Sequence, residues 1–194
     1  MTHFSTGKWV QATSLGWLAG IALIILLAAV FESIGMGEMQ FFMGVGIGAG
    51  TAVMQWRLLR KVSAIDKNWI WRTIAGTGVP FLAFDIIRSV TSISFGPFFI
   101  LYGVAISGIL TGLLQAPILK KYGATAVMWT LASFAGWMGA CLAFFCINYT
   151  KMISDNNWVL FGLNLALMLS GGVILGGVTG IYIKRLSFGD TVSQ

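Results

Sequence analysis

Asp85 and Arg88 stand three residues apart in an otherwise apolar stretch, close enough on a helix to form an ion pair. Ionisable groups at membrane depth are costly and therefore candidates for function, as a polar entry site, a protonatable gate or a partner contact. Counting from Trp69 at about 1.5 Å per helical residue puts Asp85 roughly 24 Å along its span. The expectation is thus a surface or interfacial pair at the outer boundary. Gln55, Gln115 and Thr179 form a second polar set, each five residues before a basic pair. They serve either as ligand contacts or as interhelical hydrogen bonds, which average about 0.6 kcal/mol in membranes. The sole histidine is His3, outside any apolar run, so no paired-histidine haem, metal or nucleophile chemistry is available within a span. Cys141 and Cys146 lie five residues apart on one helix and diverge too far for an unstrained disulfide. No catalytic or metal-binding residues emerge and no cofactor is implied.

The elements that position these residues repeat. Trp9, Trp69 and Trp129 recur at an interval of 60 residues, each followed by a hydroxyl residue (Thr13, Thr73, Ser133) and then a glycine (Gly16, Gly76, Gly136). Basic pairs Arg60-Lys61, Lys120-Lys121 and Lys184-Arg185 close the returning segments. Counting back twelve residues from each pair reaches Gly48, Gly108 and Gly172, and Ala52, Gly112 and Gly176 follow one turn later. Helices gain little from burying apolar surface in hydrocarbon, so small residues one turn apart mark faces where backbones approach closely. One transmembrane domain over residues 1–194 is expected, with repeats at 9–61, 69–121 and 129–185.

Composition agrees: 57% of residues are apolar and 9% charged, with a mean hydropathy of +0.87, far from the roughly 25% charge of soluble domains. Apolar runs long enough to cross a bilayer, which takes about 20 residues, fall near 14–31, 39–56, 69–87, 97–119, 124–147 and 158–183. The fold class predicted is all-α integral membrane, six transmembrane helices in three hairpins with pseudo-threefold symmetry. Placing both termini in the cytoplasm puts ten of the twelve Lys and Arg residues on that side, leaving Arg88 and Lys151 outside. The acidic residues Glu32, Glu38, Asp85 and Asp155 then fall at the outer side, and Asp66 and Asp190 inside. Basic residues spread along membrane boundaries do not form a nucleic-acid footprint, and no cleavable leader is expected. Trp9, Trp69 and Trp129 are expected to anchor at headgroup depth.

The strings Gln55-Trp56-Arg57-Leu58-Leu59-Arg60 and Trp129 through Trp137 resemble a pattern in a group of bacterial multi-pass membrane proteins, Q-W-x-x-L-R followed by W-x3-[AS]-x2-G-W. The resemblance implies architecture and a bacterial inner-membrane location, and no activity. The middle hairpin departs from it, with Thr77 and Ala116 where the pattern carries Trp. Two functions are left by this reading. One is a non-catalytic accessory or scaffold subunit packing against membrane proteins, lipids or pigments, or against a second copy of itself. The other is a small-solute transporter, channel or substrate-capturing component with a path between the three hairpins.

Overall fold

Long apolar runs punctuated by glycine and basic turns fold here into α1 (Thr6–Ser33), α2 (Phe41–Leu59), α3 (Asn68–Thr91), α4 (Phe99–Leu119), α5 (Ala126–Phe145) and α6 (Asn157–Ile183). The computed structural model describes residues 5–37, 39–91 and 96–186; His3, Glu38 and Asp190 lie outside them. Short 3-10 segments at Gly96–Phe98, Lys120–Tyr122 and Cys146–Met152 complete the connections, and there is no strand among the described residues. Five of the six helices are long and apolar enough to cross a membrane. The exception is α2, whose 19 residues include four glycines, Gln55 and Arg57. At about 1.5 Å per residue it is roughly 28 Å long, close to the thickness of a hydrocarbon core.

Each helix packs on its neighbours in chain order, and α6 returns to α1, so the six close a ring. Glycines make the seams. A Cβ on Gly16 would sit 2.6 Å from the Cα of Thr51, and one on Gly76 would sit 2.5 Å from the Cα of Thr111. Gly136 instead meets side chains, with a built Cβ 2.9 Å from Leu175 Cδ1 and 3.4 Å from Thr179 Cγ2. These three contacts join the two helices of a hairpin. The returning helices then lean on the next hairpin: Gly48 on Ile74 and Thr77, Gly108 on Phe134, Gly112 on Thr130, Gly172 on Ser14 and Gly176 on Val10. Ala52 is fully buried. With helices held this close, dispersion and backbone proximity supply the association that hydrophobic burial cannot supply in lipid.

The outward faces stay apolar. Ile25, Leu26, Ile86, Val90, Leu131 and Phe161 are all exposed, a surface suited to hydrocarbon and beyond what a water-soluble monomer tolerates. At the end where α1 begins and α6 finishes, here called the basal end, the turns are pinned locally. The Trp56 indole donates to the Ile65 carbonyl at 3.2 Å, and the Arg60 guanidinium lies 4.6 Å above the Trp56 ring.

Seam glycines should be far less replaceable than lipid-facing ones. Gly76→Val overpacks against the Thr111 backbone and should lower stability by about 1–3 kcal/mol. Gly177, which has nothing within 4 Å of a built Cβ, should accept valine with little change. Thermal unfolding of both variants in detergent checks this, and equal losses would refute the seam.

Candidate functional site

The hydroxyl, glutamine and tryptophan columns converge in a layer across the basal half of the ring. Gln115 Nε2 donates to Thr73 Oγ1 at 2.7 Å, and Gln115 Oε1 accepts from Trp129 Nε1 at 3.1 Å. Gln55 Nε2 donates to Thr13 Oγ1 at 3.1 Å, the same pairing one hairpin earlier. Trp9 Nε1 donates to Thr179 Oγ1 at 2.9 Å, so threonine takes the place of glutamine where the ring closes. Thr179 passes its own proton to the Leu175 carbonyl, and Ser133 donates to the Gly108 carbonyl. Gln55, Gln115 and Thr179 therefore do come together, as a buried polar layer. The void among them is about 10 Å³, room for a single water at most.

Below this layer the expected interface anchors turn out to be core. Trp9 and Trp69 are 0% exposed and Trp129 is 1% exposed. Trp69 sits between the other two, its ring centroid 6.4 Å from that of Trp9 and 6.1 Å from that of Trp129. Leu59, Leu119 and Ile183, each just before a basic pair, are fully buried in the same cluster. The headgroup-anchor assignment fails because all three indoles turn into the bundle and pack on one another and on Leu59, Leu119 and Ile183; for Trp9 the helix also begins at Thr6, ahead of the apolar run at Ser14. Two of the indoles also find polar partners inward, Trp9 on Thr179 and Trp129 on Gln115. The Trp69 Nε1–H, by contrast, is buried without a hydrogen-bond partner.

Asp85 is also corrected. It is 6% exposed rather than at the surface, and its Oδ2 accepts the backbone N–H groups of Gln40 at 2.7 Å and Phe41 at 2.8 Å. The carboxylate thus caps the start of α2, where unsatisfied N–H groups and the helix dipole both favour an anion. Arg88, one turn on, lies on the exposed face. The partners of Asp85 are more than forty residues away, and no local spacing reveals them.

Above the polar layer, away from the basal end, lies a chamber of about 310 Å³. All six helices contribute: Trp17, Ile21, Ile24 and Ile25 from α1; Met43, Gly44 and Ile47 from α2; Thr77 and Phe81 from α3; Ile100, Val104 and Ser107 from α4; Trp137, Ala140, Cys141 and Phe144 from α5; Met168 from α6. No charged side chain lines it. Its two hydroxyls are engaged, Thr77 with the Thr73 carbonyl at 2.9 Å and Ser107 with the Thr77 carbonyl at 3.0 Å. Such a space is unsuited to water, which needs two to four polar partners. Trp17 and Trp137 occupy the same place in their hairpins and approach to 6.0 Å between centroids. Thr77 lines the chamber where the third such indole would stand. Sequence reading did not find the chamber: Trp17, Ile21 and Ile24 recur at helical spacing, but on helices apolar all round that spacing does not tell an inward face from a lipid-facing one.

Two predictions follow from the polar contacts. Trp129→Phe strips a partner from the buried Gln115 Oε1 and should cost about 1–3 kcal/mol, whereas Trp69→Phe removes an already unpartnered donor and should cost less; equal unfolding midpoint shifts would contradict the network. Asp85→Ala, by freeing the Gln40 and Phe41 N–H groups, should lower the midpoint more than Asp85→Asn, which keeps one acceptor. Searches against protein-family models, curated proteins and solved structures find no match to this chain, leaving its geometry as the guide to function.

Proposed function

We propose that the chain is a non-catalytic multi-pass protein of a bacterial inner membrane, with N and C termini cytoplasmic, that captures an apolar molecule in its central chamber. Three hairpins, at 9–61, 69–121 and 129–185, surround that chamber with approximate threefold symmetry. The backbone seams at Gly16 and Gly76, and the parallel pairing of Gln55 with Thr13 and Gln115 with Thr73, support the repeat. The ten-to-two distribution of basic residues supports the orientation.

The observation that carries the function is the shape of the axis. It has an uncharged chamber of about 310 Å³ on one side and a hydrogen-bonded layer with an indole cluster on the other. This favours capture over conduction, because the Gln55, Gln115 and Thr179 layer blocks the axis rather than lining a passage. It also favours an accessory role: the chamber holds no group poised to react, so a captured molecule is released or handed to a partner. The exposed Trp158 and Phe161 at the start of α6 supply an apolar, aromatic surface for such a membrane partner, and scaffolding through that surface is the second reading.

Titration of the detergent-purified protein with p-dibromobenzene tests capture. Bound in the chamber, the bromines quench Trp17 and Trp137. Wild type should show saturable quenching, and Ala140→Trp, which fills the chamber from a wall position that is 1% exposed, should lose the saturable part. Val104→Phe is the second filling variant. Linear quenching identical in wild type and both variants would refute the proposal.

A further inference from the structure

The six helices do not contribute equally to the chamber, and α6 contributes least. The α1–α6 seam is tight at the basal end, where Gly180 meets Trp9 and Thr6, Gly176 meets Val10, and Gly172 meets Ser14 and Trp17. It ends where the Trp17 indole donates to the Met168 carbonyl at 3.0 Å. Beyond that bond α1 has no buried residue after Gly20, and α6 has none before Gly171. The far half of α1 stays with α2, through Gly46 against Ile24 and Phe31 against Phe41 at 5.0 Å. The far half of α6 is tied instead to the segment before it, where Thr150 Oγ1 donates to Asn164 Oδ1 at 2.8 Å. Neither of these far halves contains a buried residue, and α6 gives the chamber wall only Met168. Ile25, which lines the chamber, is 66% exposed, so the same side chain faces both the chamber and the outside of the ring.

Resting on the capture reading above, we infer that the gap between the far halves of α1 and α6 is a lateral portal, and that the chamber takes the hydrocarbon chain of a membrane lipid through it. Three features select that occupant. The portal opens through apolar helix faces, so what enters comes from the hydrocarbon of the bilayer and not from water. The wall offers no charge and no unengaged hydroxyl, so a headgroup finds no partner inside and stays at the boundary. A volume of about 310 Å³ lies at the low end of ligand sites, enough for part of one chain and not for a whole lipid. An apolar space without an occupant forfeits dispersion contacts along its whole lining. A chain end from the surrounding leaflet restores them without desolvating any polar group.

Photo-cross-linking in nanodiscs tests the inference, using phosphatidylcholine that carries a diazirine either at the end of one acyl chain or beside its glycerol. The chain-end probe should attach to Ile24, Val104 and Ala140 inside the chamber, and the glycerol-proximal probe to Ile25 and Leu165 at the portal. Ala140→Trp and Val104→Phe should abolish the inner adducts and leave those on the outward-facing Leu131 and Ile86 unchanged. Adducts confined to the outward faces, with saturable dibromobenzene binding intact, would overturn the portal while the capture reading stands. Loss of both would remove both.

Discussion

Close approach of backbones across glycine is the constraint on which everything else in this protein rests. In hydrocarbon, an apolar side chain is as well solvated outside the bundle as inside it, so burial alone cannot hold helices together. Contact has to come from surfaces that fit at short range, and a residue without a side chain lets two helices meet backbone to backbone. Backbone contacts at Gly16 and Gly76 fix the first two hairpins, and Gly136, against the Leu175 and Thr179 side chains, fixes the third. The Gly48, Gly108 and Gly172 contacts fix one hairpin to the next, and because the last of these reaches α1, the row of hairpins becomes a ring. Closing the ring creates an axis, which must then be filled, plugged or occupied.

The two halves of the axis meet that demand differently. At the basal end large rings and hydrogen-bonded amides fill it: the Trp9, Trp69 and Trp129 indoles pack together, and Gln115 links Trp129 to Thr73. Buried amides in such a layer hold the helices they join in register, since an unmade bond there has no water to replace it. In the other half the 60-residue tryptophan spacing is not kept. Trp17 and Trp137 project inward, but the middle hairpin offers Thr77, whose hydroxyl turns back to its own helix. The chamber lies beside that substitution.

Much of this architecture was legible in the residues. The 60-residue interval, the small residues counted back from the basic pairs and the apolar run lengths identify six helices and the faces on which they pack, because glycine spacing leaves a one-dimensional signature. The glutamine column was legible as a set but not as a layer, since its partners Thr13 and Thr73 lie 42 residues away in each case. Tryptophan orientation was not legible. An indole near a helix end suits both a headgroup boundary and a buried cluster, and the choice depends on which face of the helix turns into the bundle. Asp85 was placed at the surface because the N–H groups that draw it inward belong to α2. The chamber left no local trace, as every face of these helices is apolar and only the ring tells the axis from the lipid.

An experimental density map of the protein in a lipid nanodisc tests the central claim most directly. The account predicts a closed ring with continuous density from Trp9 through Trp129 at the basal end, and above it an elongated, unbranched feature between Trp17 and Val104 that runs out between α1 and α6. A ring whose chamber is collapsed, with α1 and α6 in contact along their full length, or a chamber filled with ordered water, would contradict it.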